Sequence, residues 1–400
     1  MSAATSPSPT ERLASLDAYR GFIMICLAAN GFGLAQTAKK MLAGAAEPSR
    51  FWELVHHNFE HVPWTGCGFW DLIQPSFMFM VGVALPYSLA KRSATGESSS
   101  TRAVHALVRA AALVLLGVWL SSSGEMTNFS FMNVLSQIGL GYFFLYLLAG
   151  RPLWLQGLVA VLLLIGDWAW FATGPLPPSD FNYAAVGVKP EVPILSGFEA
   201  HWNMNANVAA RFDVWLLNLF PRPEPFQFNS GGYQTLNFIP SLATMIFGLM
   251  AGEIIRRSTH RGRAFAVLVA SGAILLAAGW GIAEAGYCPL VKRIWTPSWT
   301  LYSTGWTLVM LGGFYGVIDG LRWKAWAFPL VVAGMNSMLL YLMSQTLKGT
   351  TLKNLERHFG TAWESIAGTN YVPVLQSCAV LGVFWLITLW LYRQRVFLKI

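Results

Sequence analysis

Long apolar stretches, interrupted and then begun again, restrict this chain more than any other feature. They run near Leu16 to Thr37, Trp70 to Ala90, Ala103 to Ser121, Phe131 to Ala149 and Leu153 to Ala172. Five more follow near Thr235 to Ile255, Arg263 to Ala283, Ser298 to Ile318, Ala325 to Leu347 and Val372 to Tyr392. A helix of roughly 20 apolar residues crosses ~30 Å of hydrocarbon. With 54% hydrophobic residues, 12% charged residues and a mean hydropathy of +0.47, most of the surface needs lipid as its solvent. The predicted class is all-α: a polytopic integral membrane helix bundle of about ten transmembrane helices.

The net charge of +8 lies in short clusters between apolar runs, which argues for topology signals and against a nucleic-acid partner. Lys91, Arg92 and Arg102, then Arg151, then Arg256, Arg257, Arg261 and Arg263, then Arg322 and Lys324, then Arg393, Arg395 and Lys399 all fall on one side of a ten-span chain. The opposite short loops are poorer in them, so both termini are expected to be cytoplasmic. Met1 to Ser15 is rich in Ser, Pro and Thr and carries Glu11, unlike the basic start of a signal peptide, so the first helix is expected to be retained. Cys26, Cys67, Cys288 and Cys378 have no paired spacing that would indicate a disulfide framework or a zinc site. Asn128-Phe129-Ser130 has the form of a glycosylation sequon but abuts the fourth span.

Three segments predicted on the outer side are long: Ala38 to Phe69, Gly174 to Gln234 and Lys348 to Tyr371. The middle one is rich in Asn and aromatics, among them Trp202, Asn203, Asn205, Asn207, Phe226, Phe228, Asn229 and Tyr233. Two readings stand: a surface that stacks sugar rings over a pocket, or a folded cap without ligand contact.

Ionisable side chains inside spans are costly and mark functional candidates. Asp17 and Arg20 are spaced to pair on the first helix, with a helix-end ion pair as the simpler reading. Arg109 and Glu253 are given structural roles. Asp167 lies too deep in the fifth span to cap it and should face the bundle or a wet cavity. Asp71 opens the second span, where a carboxylate gains from the helix dipole.

His56, His57 and His61 cluster just before that span. His57-Asn58-Phe59-Glu60-His61 has the spacing of an inverted zinc-protease motif, but the segment runs into Pro63 and a membrane entry with no third ligand in view. What remains is an imidazole suited to general base work at the mouth of a bundle. Asn30 lies toward the outer end of the first span, at the depth from which His61 can approach, and Gly31 and Gly33 permit close contact there. Its alternative is an asparagine in helix packing.

The order of these motifs resembles the heparan-α-glucosaminide N-acetyltransferase family and its bacterial relatives. The resemblance begins with Leu16-Asp17-Ala18-Tyr19-Arg20-Gly21 leading to Asn30. It continues through His61-Val62-Pro63-Trp64-Thr65-Gly66, Asp71-Leu72-Ile73-Gln74-Pro75 and Phe77-Met78-Phe79-Met80-Val81-Gly82. Val134-Leu135-Ser136-Gln137-Ile138-Gly139, Gly248-Leu249-Met250-Ala251-Gly252 and Gly334-Met335-Asn336-Ser337 keep the order, as does the end from Tyr392 to Ile400. Each piece is weak by itself and their collinearity is strong. Compared with the family's animal members, the chain is expected to depart by lacking the N-terminal luminal domain and the first helix and by having its own insertion around Gly174 to Gln234.

The resemblance implies residues 1–15 as a cytoplasmic tail and 16–400 as a transmembrane acetyltransferase domain, with an extracytoplasmic insertion at 173–234. It implies acetyl transfer from cytosolic acetyl-CoA, with no metal, to an amino sugar or glycan across a bacterial inner membrane. The family's catalytic histidine falls on His61 and its active-site asparagine on Asn30. Asp71 is the candidate to orient the imidazole, and Arg20, Arg256 and Arg257 are candidate donor contacts. The expected partners are membrane lipid and the glycan or amino-sugar acceptor, with no nucleic acid, in an assembly compatible with a homodimer. A solute transporter for amino sugars is the rival class, though no inverted repeat supports it.

Overall fold

The computed structural model describes residues 13–44, 47 and 49–398. Most of the expected tail, with Glu11, and the terminal Lys399 and Ile400 lie outside the described residues. The described chain is helical: α1 (Ala14–Ala28), α2 (Leu34–Ala43), α3 (Arg50–Phe59), α4 (Ile73–Ala94), α5 (Ser99–Ser121), α6 (Val134–Leu148), α7 (Leu153–Ala172) and α8 (Val208–Leu217). Then come α9 (Phe238–Arg257), α10 (Arg261–Glu284), α11 (Pro297–Phe314), α12 (Phe328–Met335), α13 (Ser337–Thr346), α14 (Lys348–Phe359) and α15 (Val372–Arg393).

Seven helices among the described residues are long and apolar enough to cross a membrane, and nine if each of two bent pairs counts as one span. Adding α6, apolar but only 15 residues long, gives the ten segments read from the sequence. That helix starts later than Phe131 because Asn133 caps it, its side-chain oxygen accepting the Ser136 N–H at 3.0 Å.

The two bent pairs are the main departures from the sequence reading. The first apolar run is α1 followed by α2 at 55°, and the ninth is α12 followed by α13 at 66°. At the second break, the side chain of Asn336 holds the backbone of the C-terminal segment. Its amide nitrogen donates to the Val396 carbonyl at 3.1 Å and its oxygen accepts the Leu398 N–H at 3.1 Å. The outer segments are also more ordered than loops, since they contain α3, α8 and α14.

The chain forms two compact units. The first contains Pro63–Gly66 and Gln74–Gly312, and in it α5 packs on α6 while α9 packs on α6 and α7. Gly248 of α9 lies against the backbone of Phe79 in α4, where a side chain would have no room, so these helices meet backbone to backbone. The asparagines of the insertion point inward. Asn203 donates to Tyr183 Oη at 2.9 Å, Asn205 donates to the carbonyls of Val186 and Asn229 at 2.9 Å, and Asn207 caps α8 while accepting from Gln234 at 2.7 Å. Trp202 is fully buried. These side chains serve the fold of the insertion.

The second unit contains Leu13–Val62, Cys67–Ile73 and Gly313–Ile400. Here α1 packs on α12 and α13, and α15 packs on α2 and α12. Asn30, His61 and Asp71 all belong to this unit.

Candidate active site

The first element of the site is the end of α1. Asn30 (φ 49°), Gly31 (60°), Phe32 (57°) and Gly33 (65°) are four consecutive residues in the left-handed region. For Asn30 and Phe32 that conformation costs roughly 1–2 kcal/mol each, which the surrounding packing must offset. Gly33 is required as glycine twice over, by its φ and by the Pro373 carbonyl of α15 lying where a Cβ would go. At Gly31, an added Cβ would lie 3.1 Å from Phe59 and 3.5 Å from Trp70. Asn30 is exposed, and its side-chain amide forms no hydrogen bond among the described residues. The packing alternative therefore does not describe it.

The second element is His61, two residues beyond α3, whose neighbour Glu60 is extended (φ −109°, ψ 155°). Its Nδ1 lies 2.7 Å from Oδ1 of Asp71. Asp71 sits in the short helical turn Phe69–Leu72 that leads into α4, and is 1% exposed. Its other oxygen accepts the N–H of Gly68 at 3.1 Å and of Val62 at 3.4 Å. Asp71 therefore caps the turn and holds the imidazole at the same time. The capping oxygen fixes the carboxylate, and the remaining one faces the ring. An ionised carboxylate only accepts, so a neutral ring facing it donates from Nδ1, the tautomer in which Nε2 is the basic nitrogen. The His61 side chain is 34% exposed and that of Asp71 1%, so a carboxylate with almost no solvent contact stands behind an imidazole that reaches solvent.

Aromatic rings join the two elements. Trp70 lies with its ring centre 6.3 Å from that of His61 and also faces Gly31, so the break that presents Asn30 and the histidine that follows α3 border one indole. Phe59 and Phe22 pack on Phe69 at 5.9 and 6.1 Å. His57 is exposed, one turn before Asp71's partner, and its carbonyl packs over Gly68.

The donor candidates divide. Arg20 belongs to the unit that holds His61 and lies 3.7 Å from Asp17, the ion pair expected from their spacing. Arg256 and Arg257 end α9 in the other unit. Arg257 pairs with the buried Glu253 at 2.8 Å, and Arg256 lines a cavity of about 620 Å³ together with Arg102 and Arg151. Arg109 donates to Tyr142 Oη at 3.2 Å and covers its ring. Asp167 is buried, with one carboxylate oxygen that has no hydrogen-bond partner among the described residues.

In the sequence, Arg102 and Arg151 read only as topology markers, and Trp70 and Lys348 only as segment boundaries. Lys348, the first residue of α14, donates to the Leu27 carbonyl at 3.1 Å, and burial holds its ammonium below the ordinary lysine range. A lysine just past an apolar run reads as a boundary signal, and only the fold brings it to the end of α1. Among the described residues, no three His, Cys, Asp or Glu side chains gather in an arrangement fit for a metal ion.

Apolar helices of this number and length define an integral membrane protein of the helical class. No family model matches the chain. Two curated proteins do: human heparan-alpha-glucosaminide N-acetyltransferase, 23% identical over 97% of this chain and 60% of that protein, and its mouse counterpart, 21% identical over 99% and 62%. The relationship is distant, and the chain spans about three fifths of the length of these relatives.

Proposed function

We propose that this chain is a membrane-embedded acyltransferase that moves an acetyl group from acetyl-CoA to an amino sugar or glycan, with both termini cytoplasmic and the acceptor on the opposite side. The observation that carries the reading is the 2.7 Å contact between half-buried His61 and buried, doubly anchored Asp71. The similarity of nearly the whole of this chain to about three fifths of two N-acetyltransferases supports the reaction class.

In this reading, Nε2 of His61 takes a proton from the acceptor amine as the nitrogen attacks the acetyl carbonyl. The N–C bond forms, the C–S bond breaks and CoA leaves through sulfur. Asp71 stabilises the imidazolium and keeps it aimed. Asn30, with its amide unengaged at a strained break, orients the amine or donates to the oxyanion that develops on the carbonyl. Arg20, Arg256 and Arg257 remain the candidate contacts for the phosphates of the donor.

The test is made with purified protein in liposomes given acetyl-labelled CoA and a glucosaminide. Label in the sugar, lost in His61→Ala, is expected. Uptake of the sugar without CoA, and no label in it, would replace the enzyme with a transporter.

A further inference from the structure

The cavity beside Arg256 is built from chain ends of the first unit: the end of α4, the start of α5, the turn between α6 and α7, and the end of α9. Three guanidinium groups line it, those of Arg102, Arg151 and Arg256. None forms an ion pair with a carboxylate among the described residues, whereas Arg20, Arg92 and Arg257 each have one. The one carboxylate in the lining, Glu253, is 2% exposed and already engaged. Its Oε1 accepts from Gly150 N–H at 3.2 Å and from Gln156 at 3.0 Å, and its Oε2 faces Arg257 at 2.8 Å. The lining therefore keeps three positive charges uncompensated. Arg102 donates a hydrogen bond to Ser93 Oγ.

The remaining lining decides what kind of anion fits. Ser93, Ser99 and Tyr146 offer hydroxyl groups, and Pro86, Leu89 and Leu147 form an apolar wall. About 620 Å³ exceeds what an inorganic anion needs and falls among cavities of ~300–1,000 Å³ that hold small organic ligands. Guanidinium forks match phosphate oxygens in pairs.

We infer that this cavity binds an organic phosphate ester, its phosphate between Arg102, Arg151 and Arg256 and its organic part along the apolar wall. Two sources share that chemistry, the phosphorylated nucleotide end of CoA and the headgroup of an anionic phospholipid. The inference extends the reading of Arg256 as a donor contact but needs no acceptor and no turnover, so binding and transfer fail separately.

The experiment uses the whole chain in phosphatidylcholine nanodiscs, titrated with CoA, 3′,5′-ADP and dephospho-CoA. A second preparation in phosphatidylglycerol discs is examined by native mass spectrometry for retained lipid. Arg102→Gln/Arg151→Gln/Arg256→Gln is compared with the triple lysine variant, which keeps the charge, and both are checked by melting temperature. Saturable nucleotide binding weakened at least about tenfold in the glutamine variant, and restored in part by lysine, assigns the site to the nucleotide. Retained phosphatidylglycerol lost in the glutamine variant, without nucleotide binding, assigns it to lipid. A folded glutamine variant that binds all probes as the parent does overturns the inference, and so does a parent that binds none. If the glutamine variant fails to fold, Arg151→Gln alone, in an exposed turn, is held to the same criterion against its lysine counterpart.

Discussion

The Lys348 ammonium and the Asn30 backbone N–H share one acceptor, the Leu27 carbonyl, at 3.1 and 3.0 Å. A cation thus stands at the negative end of α1, where the chain turns left-handed to present Asn30. Such placement is worth roughly 0.3–1 kcal/mol, and the burial that lowers the lysine's pKa opposes it. Lys348→Met should therefore leave the melting temperature of the detergent-solubilised protein within about 5 °C, while acetyl transfer falls about tenfold because the break is less firmly held. A large loss of stability with transfer intact per folded molecule would make Lys348 a purely structural residue.

The His61 and Asp71 pair predicts a graded series. His61→Ala should lose about 100- to 10,000-fold in transfer rate while remaining folded and able to bind donor. Asp71→Asn keeps the shape but no longer enforces the tautomer, so it should lose a large part of the same factor, and the double variant should be little worse than His61→Ala. Asn30→Ala should resemble His61→Ala, and exposed His57→Ala should cost far less. Rates measured with labelled acetyl-CoA that put His57→Ala at the bottom of the series would reassign the base.

Glycine contacts separate strain from packing. Gly33→Ala places a methyl group against the Pro373 carbonyl at a φ of 65°, so a loss of at least about 1 kcal/mol in unfolding free energy is expected, with transfer impaired. Gly262→Ala, in the first turn of α10 with open space around it, should be neutral or stabilising by about 0.5–1 kcal/mol. Equal effects on thermal melting would contradict the tight geometry at the break.

Asp213 in α8 gives a pH dependence. Burial pushes its carboxyl up from 3.8 to about 6, and acceptance of the Thr235 N–H at 3.0 Å offsets this only in part. The folded state holds the proton more tightly than the unfolded chain, so the contribution is complete below about pH 3.8 and lost as pH rises through about 6. The parent should therefore lose more melting temperature than Asp213→Asn between about pH 4 and about pH 7. Parallel curves would show that the group does not titrate in that window.

The sequence made the apolar segments legible because hydropathy is local: ten stretches read from residues reappear as helices, whole or bent. Asp71 and His61 were legible as chemistry, being a carboxylate at a helix start and an imidazole ten residues before it. Whether Asp71 caps or orients could not be read, because both depend on which oxygen faces which donor. The bend at Asn30 escaped because Gly31-Phe32-Gly33 changes φ without changing hydropathy. The cavity of Arg102, Arg151 and Arg256 escaped because its three cations come from a helix start, a turn and a helix end far apart in sequence, each reading as an ordinary boundary signal. The asparagine-rich insertion suggested sugar contacts, yet its amides are consumed by neighbouring backbone and side chains.

The clasp at Asn336 has a practical consequence. One side chain there binds both the carbonyl of Val396 and the N–H of Leu398, so the last described residues act as a pin through a helix bent in mid-course. A purification handle fused directly after Ile400, or a truncation at Arg395, would pull on or remove that pin. Preparations made in this way risk reporting the behaviour of an unpinned bend, and a handle ahead of Leu13 leaves the pin untouched.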